Sequence, residues 1–362
     1  MRDTPYLVVD VDVLEANLAA AAAHARALGV ALRPHAKTHK SPDIARRQLA
    51  HGAVGLTVAT VGEAEVFAAH GATDLFIAYP VWAEGPRADR LRTVAHAVRL
   101  RVGADSVESV RMLAAAVLAG HPGAAPLAIA VEVDSGHHRS GLPPERAAEV
   151  AAAALDAGLA VDGVFTFPGH AYGVGAGGID VRAAAAADEG RALAVARDAL
   201  TAAGIPCPVV SGGSTPSAAA ARGDVLTELR PGVSALGDAQ QWELGTIGAE
   251  SIALTARATV VSRRAGVVVV DAGSKVLGAD RPAWVSGFGR VVDEPEARIT
   301  ALSEHHATIA WPTDAPLPRL GARLRLAPNH VCSAVNLADE LVVERAGAEH
   351  AIWPVSARGA NT

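Results

Sequence analysis

Short apolar runs alternate with longer amphipathic segments over the first part of the chain. Between about residue 28 and residue 235 the apolar runs are typical of buried β-strands, and the segments between them carry apolar residues at helical spacing. Eight β-then-α units in about 200 residues predict a (β/α)8 barrel. A doubly wound open sheet is the alternative, because a sequence pattern alone does not prove closure. The predicted strands are Val30–Ala36, Gly55–Thr60, Asp74–Tyr79, Val98–Ala104, Leu127–Asp134, Val161–Phe167, Pro208–Gly213 and Glu228–Val233.

After about residue 240 the pattern changes to short strands separated by Gly, Pro and Asp turns. This change predicts a smaller, mainly β domain, joined by the N-terminal run Tyr6–Val9. We therefore expect residues 1–10 to form a strand of the β domain, residues 11–238 the barrel, and residues 239–362 the C-terminal β domain. The strands predicted there are Ile252–Val261, Ala265–Ala272, Arg298–Leu302, Ala307–Ala310, Arg323–Leu326 and Leu341–Arg345.

Composition excludes several classes of protein. Of the 362 residues, 50% are hydrophobic and 19% are charged, which allows a large core, and the net charge of -6 comes without a basic block that would bind nucleic acid. No apolar run approaches the roughly 18–20 residues needed to span a bilayer. Only Cys207 and Cys332 are present, so a disulfide framework is excluded. Without an apolar leader after Met1, a cytoplasmic protein is expected.

Residues that carry chemistry follow several of the predicted strands. In a barrel of this kind catalytic groups lie at the carboxyl ends of the strands. Lys37 follows the first strand, where a lysine can lose its charge and form a Schiff base with pyridoxal 5′-phosphate. Arg139 follows the fifth strand, and its guanidinium suits a carboxylate or phenolate partner. A solvated basic loop and a surface arginine are the alternatives.

Two further segments follow the sixth and seventh strands. His170 and Tyr172 are candidates for the active site or for ordinary packing at the barrel rim. The segment Ser211–Ser217 contains two glycines and then hydroxyl residues ahead of a predicted helix. Glycines let the backbone approach an anion, hydroxyls donate, and a helix start adds its dipole, so this segment predicts a phosphate cradle.

The C-terminal domain contains a candidate metal site. In an extended segment residues two apart point to the same side, so His330 and Cys332 are placed to bind one metal ion. Imidazole and thiolate suit zinc, and two protein ligands leave positions open for substrate or water. A His-x-Cys pair that binds nothing is the alternative.

Together these segments resemble one family across nearly the whole chain, namely the D-serine dehydratase / D-threonine aldolase group of fold-type III pyridoxal-phosphate enzymes, relatives of alanine racemase. The resemblance implies the fold class α/β, with a pyridoxal-phosphate-binding (β/α)8 barrel of alanine racemase type plus a C-terminal mainly β domain. The matching segments are Thr4-Pro5, Arg33–Lys40, Ile77–Val81, Glu132–Gly141, Gly169–Gly173, Gly213–Ser217, Thr227–Gly232, Asp238 with Gln240-Gln241, and His330–Cys332.

The resemblance also implies a role for each candidate residue. Catalysis falls to Lys37, the Schiff-base lysine, with His170 and Tyr172. Pyridoxal 5′-phosphate contacts fall to Lys37, Arg139, Tyr172, Gly213, Ser214 and Thr215, and a divalent metal, zinc first with manganese or magnesium as alternatives, to His330 and Cys332. The partners implied are a small D-amino acid and, by analogy, a second copy in a homodimer.

The sequence leaves the reaction open and differs from the family pattern at two places. In the family, aldolases tend to show His-x-Asp and dehydratases His-x-Cys, so Cys332 favours dehydration of D-serine or a related D-3-hydroxy amino acid to a 2-keto acid and ammonia. Cleavage to glycine and an aldehyde is the alternative, and a non-catalytic carrier of the cofactor is a third. The family tyrosine expected shortly after Gly232 is absent, and Glu304-His305-His306 replaces the usual Glu-His-Gly.

Overall fold

The computed structural model of the protein describes residues 2–118, 127–175 and 180–362. The strands, in chain order, are β1 (Tyr6–Asp10), β2 (Ala31–Leu32), β3 (Leu56–Val58), β4 (Asp74–Pro80), β5 (Arg99–Ala104), β6 (Leu127–Glu132), β7 (Ala160–Phe165), β8 (Val209–Gly212), β9 (Glu228–Leu229), β10 (Leu254–Arg264), β11 (Val267–Val270), β12 (Gly289–Val291), β13 (Arg298–Leu302), β14 (Ala307–Ala310), β15 (Arg323–Pro328), β16 (Glu340–Arg345) and β17 (Ala348–Pro354). The α-helices are α1 (Val11–Ala27), α2 (Pro42–Ala50), α3 (Val61–Ala69), α4 (Pro86–Ala97), α5 (Val107–Leu118), α6 (Ala147–Asp156), α7 (Val181–Ala202), α8 (Ala239–Glu243), α9 (Ser274–Leu277) and α10 (Val331–Leu337). None of these helices is long and apolar enough to cross a membrane.

The chain divides into two compact units, each built from separate stretches of sequence. The barrel unit consists of Ala21–Lys37, Gln48–Gly232 and Gly359–Thr362. The sheet unit consists of Met1–Ala20, Thr38–Arg47 and Val233–Arg358.

An eight-stranded parallel sheet forms the barrel unit. Its strand order is β2-β9-β8-β7-β6-β5-β4-β3. A parallel bridge between His35 and Thr57 links the two ends of this order and closes the sheet. All eight strands predicted for this region are confirmed, and the helices between them, such as α7, complete the β/α alternation. The open-sheet alternative is therefore excluded by the His35 bridge.

Charged side chains occupy part of the barrel interior. The carboxylate of Glu228 in β9 accepts hydrogen bonds from Arg33 Nε at 2.7 Å and Arg101 Nη1 at 3.0 Å. Burial alone would raise the pKa of Glu228, but the charges of Arg101 and Arg33 outweigh it and lower that pKa. A register shift in β7 skips Asp162, whose carboxylate binds Arg101 Nε at 3.0 Å. The bulge thus supplies a second counter-charge to the buried Arg101.

A nine-stranded sheet forms the sheet unit, in the order β11-β14-β13-β12-β15-β10-β1-β16-β17. The N-terminal strand β1 pairs antiparallel with β10 and parallel with β16. Its alternate residues Leu7 and Val9 are buried in an apolar cluster with Leu254, Leu326 and Val343. The six strands predicted after residue 240 are confirmed, and the predicted mainly β character holds.

Short elements of the sheet unit differ from the sequence prediction. The prediction missed β12 and β17, since β12 has three residues with the charged Arg290 at its centre and β17 carries polar Glu349 and His350. It also placed His330–Cys332 in an extended segment, which is wrong. The chain turns into α10 at Val331, with His330 as the residue that precedes the helix.

Candidate active site

Phe167 lies at the centre of the candidate side chains in the barrel unit. Lys37, in a short 3-10 turn after β2, places its Nζ 5.8 Å from the centroid of the Phe167 ring. The guanidinium carbon of Arg139 lies 5.0 Å from the same centroid. Both distances suit cation–π attraction. Two side chains that follow different strands in the sequence therefore meet at one aromatic ring.

The loop after β6 carries Arg139 and is organised by one carboxylate. Asp134 Oδ1 accepts hydrogen bonds from the backbone N–H groups of Gly136 at 2.9 Å and His138 at 3.0 Å. Burial raises the pKa of Asp134, but the hydrogen bonds from His138 and Gly136 outweigh it and hold that pKa below its usual range. His138 has a φ of 56°, which few residues other than glycine adopt. The ionised Asp134 compensates that strained turn and thereby positions Arg139.

Two more side chains surround the Phe167 ring. The imidazole of His137 meets it edge-on, with centroids 5.5 Å apart, and the Tyr172 ring lies 6.2 Å away. His137 packs against Gly169, where a Cβ would fall 2.5 Å from the imidazole, so this position requires glycine. Burial first, and then the Arg139 charge, lower the pKa of His137, which keeps the ring neutral near pH 7.

His170 lies in the 3-10 turn that ends at Tyr172, and its ring nitrogens are unusual. Both are buried, and neither forms a hydrogen bond with the described residues. The Nε2 atom lies 3.4 Å from Asp188 Oδ2, within range of an ionic contact but without hydrogen-bond geometry. Buried polar atoms in native proteins nearly always have a partner, so this imidazole is placed to receive one from a bound molecule.

The predicted phosphate cradle follows β8, but its details differ from the prediction. The Gly213 N–H donates to Glu189 Oε1 at 2.6 Å and is therefore not available to an anion. A single 3-10 turn, Ala218–Ala220, follows in place of the expected longer helix, so little helix dipole is present. The segment still presents hydroxyl groups: Ser214 Oγ lies 2.9 Å from Ser217 Oγ, and Thr215 lies in the turn between them.

A buried glutamate, Glu189, packs against the backbone of this loop. Glu189 projects from α7 against the backbone of Gly212, where a Cβ would meet its Oε1 at 2.4 Å. Its second oxygen has no hydrogen-bond partner among the described residues. Burial raises the pKa of Glu189 to about 7, against the Gly213 hydrogen bond and the Arg230 charge, which lower it. Glycine at 212 thus leaves room for the carboxyl group to approach the loop, whereas Gly213 has a φ of 80° and a Cβ there would lie 2.6 Å from Leu229.

The barrel residues fit pyridoxal 5′-phosphate. A lysine amine is held over an aromatic ring, a cluster of serine and threonine hydroxyls follows β8, and the two buried nitrogens of His170 form no hydrogen bond with the described residues. These are the amine, the phosphate donors and the polar contacts that the cofactor needs. Lys37, Ser214, Thr215, His170, Tyr172 and Arg139 would hold it.

In the sheet unit, His330 and Cys332 do come together, although not by the extended geometry that the sequence suggested. Cys332 lies in the first turn of α10, and its side chain is hydrogen-bonded to that of His330. Cys332 Sγ also lies 3.5 Å from Thr38 Oγ1. A thiol and an imidazole in contact are a donor set suited to zinc.

The electrostatics of this dyad involve one further carboxylate. His330 Nδ1 makes a short hydrogen bond to Asp280 Oδ2. Burial lowers the pKa of His330, but the Cys332 charge and the Asp280 hydrogen bond raise it to about 11. Burial likewise raises the pKa of Asp280, and the bond from His330 more than reverses this, so Asp280 is ionised. Across the described residues, no cluster of three or more His, Cys, Asp or Glu side chains is arranged around a metal position.

Family models match both parts of the chain. The model for the alanine racemase N-terminal domain matches residues 9–240, which is more than half of the sequence, and that for a putative serine dehydratase domain matches residues 253–344. The chain belongs to this family of alanine racemase-like enzymes. Its recognised relatives are pyridoxal-phosphate-dependent lyases, and this chain is a lyase of that class.

Full-length relatives of this lyase cover two reactions. D-threo-3-hydroxyaspartate dehydratase from Delftia sp. (strain HT23) is 37% identical over 91% of each chain. D-threonine aldolase from Arthrobacter sp. is also 37% identical, over 99% of this chain and 93% of the relative. The crystal structure of D-threonine aldolase from Filomicrobium marinum aligns with a TM-score of 0.89 at 34% identity, covering 99% of this chain and 97% of that one.

Sequence reasoning missed three residues that contact the candidate side chains or their loops, namely Phe167, Glu189 and Asp280. Phe167 was assigned no role, although an aromatic residue just past a strand end is a useful signal in a chain with five phenylalanines. Glu189 shares a buried face of α7 with Ala185, Ala192 and Ala196, and a glutamate on an apolar stripe is a detectable anomaly. Asp280 gave no signal, because its partner is 50 residues away.

Proposed function

We propose that this lyase is a dehydratase of D-serine or a related D-3-hydroxy amino acid, which eliminates water and releases ammonia to give a 2-keto acid. The observation that carries the proposal is the contact between the side chains of His330 and Cys332. A thiolate ligand at the second position is what the family resemblance associates with dehydration. The Delftia relative, a dehydratase of a D-3-hydroxy amino acid, supports the same reaction.

Lys37 is the proposed base. When bound, pyridoxal 5′-phosphate supplies an electron sink for charge that develops at the substrate Cα. Lys37 would hold the cofactor through Nζ, and its amine would be the base that removes the Cα proton of a bound substrate. The Lys37 Nζ and the Arg139 guanidinium both lie against the Phe167 ring, which restricts where Nζ can lie.

His330 and Cys332 are the proposed metal ligands. A divalent ion held there, zinc first, would act as a Lewis acid on the substrate β-hydroxyl and make it a better leaving group. A cysteine-to-alanine mutant of a D-threo-3-hydroxyaspartate dehydratase has been solved in a metal-free form, which supports a cysteine-dependent metal in the family.

Aldol cleavage is the second candidate, and one observation favours it. The two D-threonine aldolases match this chain as well as the dehydratase does, at 37% identity in sequence and a TM-score of 0.89 in structure. The same residues would serve both reactions. The outcome depends on whether the bond to the β-hydroxyl or the Cα–Cβ bond breaks.

A product assay decides between the two reactions. The purified protein, with cofactor and zinc, is incubated with D-serine, D-threonine, D-threo-phenylserine and D-threo-3-hydroxyaspartate, and keto acid is measured against glycine plus aldehyde. Keto acid and ammonia are expected, and glycine as the main product would reject the dehydratase proposal. Cys332→Ala should abolish elimination and leave the absorbance of bound cofactor intact. Cys207→Ala, which changes the other free cysteine, is the matched control.

A further inference from the structure

One carboxylate of the sheet unit contacts the proposed metal ligand His330 at its Nδ1 nitrogen. Asp280 Oδ2 accepts the short hydrogen bond from His330 Nδ1, and Ser333 Oγ lies 3.4 Å from the same nitrogen. An imidazole has two ring nitrogens, and a carboxylate can only accept at the one it contacts. With a hydrogen held on Nδ1 by the carboxylate, Nε2 is the nitrogen whose lone pair a metal ion would bind after displacing its proton.

The segment that carries Asp280 is itself fastened to the start of α10. Asn329 is buried, and its Nδ2 donates to the Asp280 carbonyl oxygen at 2.9 Å. Two residues earlier, Gly278 ends α9 with a φ of 75°, and a Cβ there would lie 2.9 Å from Ser333 Cβ. The side chain and the backbone of Asp280 are therefore both held against residues 329–333.

The surroundings of Asp280 indicate that it orients a ligand and does not serve as a third one. Its side chain is 43% exposed, so water stabilises its charge, and Oδ2 is bonded to a ring nitrogen. Within the described ranges no three-residue group of His, Cys, Asp or Glu is arranged around a metal position. A carboxylate behind a histidine ligand typically fixes the tautomer and raises the basicity of the other nitrogen.

We propose that Asp280 is the positioning residue of the metal dyad, which holds the His330 ring by Nδ1 so that Nε2 presents its lone pair beside Cys332. This inference rests on the proposed function, since it takes His330 and Cys332 as metal ligands. It adds a residue that determines metal affinity through His330 and that is not itself a metal ligand.

Zinc affinity of the purified holoprotein tests the proposal by competition with a chromophoric chelator. Asp280→Ala should weaken zinc binding by about 10- to 100-fold. Asp280→Asn keeps an acceptor oxygen for Nδ1–H and should weaken it less, by about 10-fold. Asp339→Asn removes the same charge from an exposed residue of the same unit and should leave the affinity unchanged. The absorbance of bound cofactor, recorded first, should be the same in all variants.

The outcomes separate this inference from the proposed function. Equal zinc affinity in wild type, Asp280→Ala and Asp339→Asn would overturn the role of Asp280 and leave the dyad standing. If the wild type binds no zinc, or Cys332→Ala binds it as tightly, both the dyad and the role of Asp280 fail. Should Asp280→Ala not fold, as judged by circular dichroism, Asp280→Asn carries the comparison.

Discussion

Replacing Glu189 by glutamine is predicted to remove a stability cost that appears only as the pH rises. The glutamate is buried beneath the loop after β8, with one oxygen on the Gly213 N–H and the other without a partner among the described residues. Glutamine has the same size and keeps an oxygen for Gly213, but it cannot ionise. The variant therefore isolates the cost of placing a charge at this position.

The magnitude follows from the pKa of Glu189, which burial raises from an ordinary 4.5 to about 7. Below the lower value the carboxyl is protonated in both the folded and unfolded states, and no cost arises. Between the two values the folded protein retains a proton that the unfolded chain has released, so stability falls as the pH rises. Above about pH 7 the cost is complete, at about 3 kcal/mol.

Urea unfolding followed by circular dichroism tests this reasoning across a series of pH values. The free energy of unfolding of Glu189→Gln minus that of wild type should grow by about 2 kcal/mol between about pH 5 and about pH 8. Comparing the two proteins at each pH cancels the titration of every other group. Glu145→Gln, an exposed glutamate of the barrel unit, should give a constant difference. Parallel profiles for wild type and Glu189→Gln would refute the raised pKa.

Three further substitutions test other parts of the structure. Lys37→Ala should abolish turnover and the visible absorbance of the protein-bound cofactor, and spectra that match wild type would refute its role. Glu228→Gln leaves the buried Arg101 with less counter-charge and should cost about 3 kcal/mol in urea unfolding, so a loss below about 1 kcal/mol would contradict the network. Gly163→Ala would place a Cβ 1.9 Å from the Val209 oxygen and should cost roughly 3 kcal/mol, and an unchanged melting temperature would contradict that packing.

The barrel was predictable because its signal is local. Each parallel strand is buried on both faces and reads as a short apolar run, so even β2 and β9, with two residues each, were located by their neighbours Val30 and Val233. The ends of those runs also placed Lys37 and Arg139 on the same side of the barrel. What no run could show is that both cations meet the ring of Phe167.

Contacts between distant or irregular segments were not predictable from the sequence. We expected His330 and Cys332 to point to the same side of an extended segment, but the chain begins a helix between them at Val331. The cradle after β8 was recognised by its residue types, yet the partner of the Gly213 N–H is Glu189, 24 residues away on another element. Such pairings depend on tertiary packing, which a single sequence does not encode as spacing.

The partners of β1 in the nine-stranded sheet lie far along the chain, so this strand can pair only late in synthesis. β1 precedes the stretch Gln48–Gly232 of the barrel unit in the chain, whereas its partners β10 and β16 follow that stretch and leave the ribosome only after it. Pairings this far apart in sequence form late, since the intervening chain must first be closed into a loop. During translation the apolar segment of β1 therefore stays unpaired until β10 and β16 have been synthesised. A chain released before β16 would keep that edge open and expose it to aggregation.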